Sequence, residues 1–275
     1  MTFKDVLVRS TNAYKIISGE KRNGALGHAY LIICPDGEYL ADYLKILAKT
    51  ITCENSDGYC DECRACRLIE KNAYADCTFY PSDGKKILTA DVDDLIENSI
   101  IKPLESDKRL FVLSGAENMV AVAQNKILKT LEEPPNGVHI LMGATTDAPL
   151  LPTIKSRVKK IDMPPFSDAA LYNALKGQFP DGEKLKRAIA LSGGKASKAA
   201  DLYGGEKAEK TTALCRDILR NMKSSKDAAK YAGLIDKDNI AEFISAMKTE
   251  VGYMLKKDKT AVEAEGYGTG ALIAI

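Results

Sequence analysis

Two short runs of consecutive apolar residues place the strongest limit on what this chain can fold into. They lie within the segments 109–114 (Arg-Leu-Phe-Val-Leu-Ser) and 138–144. A strand with one solvated face alternates apolar and polar residues, whereas an uninterrupted run is typical of a strand buried on both faces of a parallel sheet. A helical pattern at about 120–131 separates the runs, and Pro134-Pro135 ends it. Because parallel neighbours need such a crossover, the pattern predicts an α/β fold built on a parallel sheet.

The same periodicities predict the other elements of the first 163 residues. These are strands at 30–34 and 158–162, helices at 41–52 and 92–102, a short helix or turn at 152–158 and an extended segment at 86–90. Pro164-Pro165 then marks a shift to helical patterns, which Ser192-Gly193-Gly194 interrupts. A chain of 275 residues has room for two or three domains. We therefore predict an α/β domain at 1–163 and helical domains at 164–205 and 206–275.

The segment after the first predicted strand has the frame of a phosphate-binding loop, a strand followed by a turn and a helix. On the pattern G-x-x-x-x-G-K-[ST], Cys34 and Tyr39 take the places of the glycines, and Gly37 lies between them. Leu40 replaces the lysine that meets the β- and γ-phosphates, and Ala41 replaces the hydroxyl that ligates Mg²⁺. The alternative is an ordinary α/β unit that never held a nucleotide. On either interpretation we expect this chain to bind no ATP of its own.

Four of the seven cysteines crowd into one segment with the spacing C-x₆-C-x₂-C-x₂-C: Cys53, Cys60, Cys63 and Cys66. Four thiolates suit tetrahedral Zn²⁺ at about 2.3 Å per bond, and a fully protein-ligated ion is structural because no position stays open for water. The alternatives are scattered reduced thiols or a redox pair. We predict a zinc module at about 50–80. The remaining cysteines are expected to pack as small apolar side chains: Cys34, Cys77 and Cys215.

Further motifs follow at defined intervals: His28-Ala29-Tyr30-Leu31, Lys129-Thr130-Leu131-Glu132-Glu133-Pro134-Pro135, Ala144-Thr145-Thr146 and Ser156-Arg157. With them, and with a four-cysteine insert after its first loop helix, the chain resembles the bacterial clamp-loader subunits of the AAA+ superfamily over about residues 1–205. The resemblance implies an AAA+ P-loop-type parallel sheet with a four-cysteine zinc insert, a helical lid domain at 164–205 and a helical collar domain at 206–275. Relatives are longer, and residues 270–275 look like the start of a helix, so we expect the collar domain to be incomplete.

The resemblance also implies which catalytic parts are missing. Active motor subunits of the family carry an Asp-Glu pair at the end of the third strand, where this chain has Ser114 and Gly115. The carboxylate that organises Mg²⁺ and the one that activates water are therefore both absent. This implies the catalytically silent member of the ring, with no intrinsic ATPase activity, inside a DNA-directed DNA polymerase assembly. Thr145 and Thr146, at the position that senses the γ-phosphate in active relatives, are expected to be structural.

Arg157 is the candidate catalytic residue, with Ser156 supporting it. In the family a Ser-Arg-Cys arginine is inserted as an arginine finger into the ATP site of the adjacent subunit, and fingers of this type are worth about 10³ to 10⁵ in rate. Here Val158 replaces the cysteine, which changes packing but no charge. The alternative is a surface salt bridge. Nearby lysines form a basic cluster that could meet phosphate or simply be a solvated face: Lys155, Lys159 and Lys160.

The resemblance implies the other clamp-loader subunits, gamma/tau and delta, as partners, and the sliding clamp and primer-template DNA through the complex. The formal net charge of +1 gives no overall basic excess, so it does not by itself indicate nucleic-acid binding. No apolar run is long enough to span a membrane and no leader pattern is visible, so we expect a cytoplasmic protein. The competing hypotheses are an ATP-hydrolysing motor subunit with a diverged loop and a stand-alone zinc-dependent DNA-binding module.

Overall fold

The computed structural model of the protein describes residues 1–55, 57–81, 86–204, 206–222, 231, 233 and 240–256. Contacts divide the chain into two compact units, Met1–Phe166 and Ser167–Ile275. Among the described helices, none combines the length and the apolar composition that crossing a membrane requires.

The first unit is built on a five-stranded sheet in which every neighbouring pair of strands is parallel. The strands are β1 (Ala29–Ile33), β2 (Cys77–Tyr80), β3 (Arg109–Ser114), β4 (Val138–Ala144) and β5 (Lys159–Asp162). Their order across the sheet is β2-β3-β4-β1-β5. In this register Tyr30 of β1 lies opposite Leu141 of β4 and Lys159 of β5. The parallel α/β fold predicted from the apolar runs is confirmed.

Helices precede the sheet and connect its strands: α1 (Phe3–Ser10), α2 (Asn12–Arg22), α3 (Leu40–Thr52), α4 (Arg64–Glu70), α5 (Thr89–Ser99), α6 (Ala121–Glu132) and α7 (Pro152–Lys155). Thr2 and Thr11 define the starts of the first two helices, because each side-chain oxygen accepts a hydrogen bond from a backbone N–H in the first turn. Pro152 begins α7, where a missing N–H costs no helical hydrogen bond. A short 3₁₀ turn, Ala116–Asn118, follows β3.

Strands β1, β3 and β4 bury side chains on both faces, which explains the apolar runs within their sequences. Tyr30 and Ile32 of β1 join the core that also contains residues of α1 to α4, whereas Leu31 joins the core with residues of α5 to α7. Helix α3 lies very close to β4, because a Cβ added at Gly143 would be 2.5 Å from Leu44 Cδ1. Only glycine allows this approach of helix to strand.

Two expected elements before β3 have different bounds in the structure. Leu88 is extended, but Thr89, within the extended segment expected at 86–90, already begins helix α5, which ends at Ser99 instead of at 102. A strand that was not predicted, β2, pairs with β3 at the edge of the sheet, and its middle residues Thr78 and Phe79 are only half-buried. An edge strand with half-buried residues has no continuous apolar run, so the pattern that identified β3 and β4 does not detect it. The sequence patterns also predicted no helix at α1, α2 or α4.

The second unit contains the helices α8 (Asp168–Leu175), α9 (Gly182–Ser192), α10 (Ala196–Gly204), α11 (Glu206–Asn221) and α12 (Ile240–Lys256). The predicted break at Ser192-Gly193-Gly194 is confirmed: α9 ends at Ser192, and Gly193 has a φ of 62°, a left-handed conformation that favours glycine. The division into lid and collar domains stays a prediction, and the apolar segment at 270–275 lies outside the described residues.

Candidate functional site

The four clustered cysteines converge on one point of the first unit. Their sulfur atoms all lie within 4.8 Å of one another, with 3.6 Å from Cys53 to Cys60 and 3.8 Å from Cys53 to Cys63. A tetrahedral zinc ion with four thiolate bonds of about 2.3 Å separates its ligand atoms by about 3.8 Å. The cluster therefore has the spacing of a metal site, and the sulfur atoms are too far apart for disulfides, which measure about 2.05 Å.

Secondary structure positions the four ligands. Cys53 ends helix α3, Cys63 is the N-cap of α4, and Cys66 lies in the first turn of α4. Backbone N–H groups donate to the sulfur atoms, from Cys63 to Cys60 at 3.2 Å and from Cys66 to Cys63 at 3.4 Å. Such donors stabilise the thiolate form, which is the form that binds a metal.

The pKa values of the thiols differ because their surroundings differ. The backbone N–H groups of Cys63 and Glu62 lower the pKa of Cys60 to about 7. Burial raises the pKa of Cys53 and of Cys66, because a thiolate loses its hydration there. A bound divalent cation would offset that cost, so these residues fit a metal ion chemically as well as geometrically.

The segment that carries Cys60 packs against the N-terminal helices. Tyr59 is buried, its hydroxyl donates to Asp5 Oδ1 at 2.6 Å, and Arg9 Nη2 donates to its carbonyl oxygen at 3.2 Å. Cys53, Tyr59 and Cys66 belong to the same core cluster as Tyr30 of the sheet. The insert is thus part of the core of this unit rather than an appendage on its surface.

The loop between β1 and α3 has apolar and aromatic residues where a phosphate-binding loop has its functional groups. Helix α3 begins at Leu40, which is buried and whose Cδ1 would lie 3.0 Å from a Cβ at Gly143. At the first helical turn Tyr39 makes no side-chain cap, and Lys4 lies over its ring at 3.9 Å from the centroid. A Cβ at Gly37 would be 2.9 Å from Thr145 Cγ2. The segment is packed tightly, and neither Leu40 nor Ala41 offers an ammonium or a hydroxyl group.

An acid that the sequence did not indicate lies at the same edge of the sheet. Glu117, in the turn after β3, accepts hydrogen bonds at Oε1 from the backbone N–H and hydroxyl of Thr145, at 3.0 and 2.6 Å. Its Oε2 is buried without a hydrogen-bond partner among the described residues. The sequence could have indicated this acid by its position, since Glu117 lies three residues after Ser114 and two after Gly115. The structural role expected of Thr145 and Thr146 stays a prediction.

Arg157 lies beside the Leu-Glu-Glu-Pro-Pro motif. Its Nε donates to Glu132 Oε1 at 2.8 Å, a second guanidinium nitrogen pairs with the same oxygen, and Nη1 donates to the carbonyl of Thr153 at 2.8 Å and to Ser156 Oγ at 3.2 Å. The residues Glu132, Ser156 and Arg157 line an open depression of about 480 Å³ together with His28 and Leu131. The ion pair is the contact that the salt-bridge alternative predicted, and a role in a neighbouring subunit stays a prediction.

The lysines near Arg157 each have an acidic or carbonyl partner. Lys160 pairs with Asp147 at 2.9 Å, Lys159 pairs with Glu20, and Lys155 donates to the carbonyl of Asp147 at 3.4 Å. These contacts favour a solvated face over a phosphate site.

Three cysteines, predicted to pack as small apolar residues, are buried: Cys34, Cys77 and Cys215.

Known proteins resemble this chain over much of its length. A family described as "DNA polymerase III, delta subunit" matches residues 9–167. DNA polymerase III subunit delta' of Bacillus subtilis is 30% identical over 176 residues, 64% of this chain and 54% of that protein. The delta' subunit of Pseudomonas aeruginosa is 32% identical over 183 residues, 64% of this chain and 56% of that protein. The matched part spans about half the length of these relatives.

Other matches have gamma-type names. DNA polymerase III subunit gamma/tau of Mycoplasma pneumoniae is 29% identical over 214 residues, 77% of this chain and 30% of that protein. Among solved structures, a DNA polymerase III gamma subunit-related protein of Thermotoga maritima is 19% identical with a TM-score of 0.49, covering 90% of this chain and 75% of its own.

Proposed function

Because the chain belongs to the DNA polymerase III delta subunit family, we propose that it serves as the delta prime subunit of a bacterial clamp loader, a ring member that does not hydrolyse ATP. The observation that carries the proposal is the loop between β1 and α3. Leu40 and Ala41 stand where phosphate and Mg²⁺ contacts are needed, and the first of them is buried under β4. Charge neutralisation is most of what catalyses phosphoryl transfer, and this loop supplies none.

The proposed partners follow from the family. The chain would assemble with gamma/tau and delta subunits and, through the ring, act on the sliding clamp and primer-template DNA during replication. This role places it in the cytoplasm. We further propose that the four cysteines hold one structural Zn²⁺, which four protein thiolates would coordinate completely and which would stabilise the fold rather than activate water.

Arg157 is the proposed contribution to catalysis in a neighbouring subunit. A guanidinium at the neighbour's ATP site would stabilise the charge that develops on the transferred phosphoryl group. The position of the side chain at the surface, beside an open depression that Glu132 and Ser156 also line, supports the proposal. To act in trans, the guanidinium has to leave Glu132 and bind the phosphate of the neighbouring subunit. The Arg157 side chain is 31% exposed, so a neighbour can reach it.

A diverged motor subunit is the second candidate. Similarity to gamma/tau subunits favours it, as does Glu117, an acid at the carboxyl edge of the sheet. Calorimetric titration with Mg-ATP separates the two candidates. We expect no saturable heat for the delta prime role, whereas micromolar affinity would establish a working nucleotide site.

Reconstitution of the whole loader tests the role of Arg157. We expect Arg157→Ala to lower the clamp- and DNA-stimulated ATPase rate of the complex without removing it, because other interfaces of the ring keep their own arginines. Thr153→Ala is the control, since only its carbonyl oxygen contacts the guanidinium. A mutant complex that assembles and loads clamps at the wild-type rate would show that Arg157 is only a surface arginine.

A further inference from the structure

We infer that Lys21 is a positioning residue of the candidate metal centre. It extends from α2 to the segment that joins the first ligand, Cys53, to the second, Cys60, and it holds that segment in the shape that brings the two sulfur atoms together. The inference rests on the proposed metal and deepens it. No motif of the sequence points to Lys21, which lies 32 positions before the nearest ligand.

Every hydrogen of the Lys21 ammonium has an acceptor in this segment. Nζ donates to the carbonyl oxygens of Cys53 and Asn55, both at 2.6 Å, and of Gly58 at 3.0 Å. An ammonium group has three hydrogens and no acceptor, so these three bonds use its whole capacity. Three carbonyls that converge on one cation fix the path of the backbone between the two ligands.

The described part of residues 53–60 contains no helix or strand, so its carbonyl groups have no partners in a regular ladder. Cys53 also ends α3, and a cation at the last carbonyls of a helix is favoured by the helix dipole. A second contact from α2 fixes the same segment: Gly58 has a φ of 116°, and a Cβ there would overlap the Tyr14 hydroxyl. Tyr14 and Lys21 of helix α2 thus shape this segment together.

The charge of Lys21 fits the site as well. Four thiolates around a divalent cation carry a net charge of about −2, and the ammonium is close enough to interact electrostatically with the thiols of Cys53, Cys63 and Cys66. A neutral donor would supply hydrogen bonds without this compensation. Arg22, the next residue, pairs with Asp57 of the same segment at 2.9 Å, but both side chains are exposed, so this ion pair constrains the segment less than Lys21 does.

The test compares zinc binding by Lys21→Met and by Lys15→Met, an exposed lysine of the same helix. Affinity is measured on the full chain by competition with a chromophoric chelator, and coordination by the thiolate-to-metal bands after loading with Co²⁺. Removing an outer-shell partner typically weakens metal binding about 10- to 100-fold. We expect a loss in this range for Lys21→Met, with faster amide hydrogen exchange at 54–60 in the zinc-loaded protein, and wild-type behaviour for Lys15→Met.

Lys21→Arg is the second variant, and it tests the inference if Lys21→Met does not fold. It keeps the charge, but a planar guanidinium cannot direct three hydrogens at convergent carbonyls, so we expect an intermediate affinity. Wild-type protein that binds no zinc would overturn the metal proposal and this inference together. Wild-type protein that binds zinc tightly while both Lys21 variants match it in affinity and Co²⁺ spectrum would overturn the inference about Lys21 alone.

Discussion

Asp76 is a buried carboxylate whose removal we expect to destabilise the first unit strongly. It is fully buried just before β2, and it accepts hydrogen bonds from the backbone N–H groups of Leu104, Glu105 and Ser106 at 2.7, 2.7 and 2.9 Å. Arg109, itself 7% exposed, lies 4.0 Å away, and its Nε and Nη1 have no hydrogen-bond partner among the described residues. One carboxylate therefore holds the loop before β3 and compensates a buried cation.

The magnitude follows from these contacts. Each hydrogen bond to a charged group contributes about 1.5–3 kcal/mol, and removing one partner of a buried ion pair costs about 3–5 kcal/mol. The terms do not add, because the partly exposed amides of the loop regain water. We expect Asp76→Ala to cost about 4 kcal/mol of unfolding free energy, with the uncompensated Arg109 as the largest part. Asp76→Asn keeps the volume and one acceptor, so it should cost about half as much.

Thermal unfolding followed by circular dichroism measures the effect. At about 2–4 °C per kcal/mol, a loss of about 4 kcal/mol lowers the Tm of the first unit by about 8–16 °C. Asp107→Ala is the matched control, because that carboxylate is 80% exposed and pairs with its neighbour Lys108, so its Tm should stay near that of the wild type. A Tm for Asp76→Ala no lower than that of the control would refute the account of this carboxylate.

Three further predictions concern the metal, the nucleotide and the pH. Elemental analysis should find one zinc per chain, and Cys63→Ser should lose it together with the order of the 53–66 segment; zinc retained at full occupancy in the mutant would exclude Cys63 as a ligand. Leu40→Lys should not produce ATP hydrolysis, since no acid pair would activate water, and measurable turnover would contradict this. Burial alone would raise the pKa of Asp5, but hydrogen bonds from Tyr59 and Thr2 outweigh burial and place the pKa below its ordinary value of 3.8. The stability that ionised Asp5 contributes is therefore present above pH 3.8 and is lost as the pH falls through the lower pKa of the folded state. In urea unfolding, the free energies of unfolding of the wild type and of Asp5→Asn should therefore converge in acid.

Local sequence patterns determined much of this protein. The runs at β3 and β4 revealed a parallel sheet because burial on two faces leaves a signature in consecutive residues. The cysteine spacing indicated a metal site because the four thiols lie on one short segment, where their spacing can be read without knowledge of the fold. The replacements at Leu40 and Ala41 were likewise visible in the sequence, because these residues have no ammonium or hydroxyl group in any fold.

The tertiary structure decided what depends on residues far apart in the chain. Lys21 meets the carbonyl of Cys53, Arg157 pairs with Glu132, and Glu117 binds Thr145, at separations of 32, 25 and 28 positions. The sequence periods of 2 and 3.6 residues do not reveal such contacts. Each contact depends on the order of the strands in the sheet and on the helices that connect them. For the same reason β2 was missed. An edge strand owes its existence to its neighbour β3, and a half-buried sequence such as Cys77–Tyr80 becomes a strand only when that neighbour supplies the hydrogen bonds.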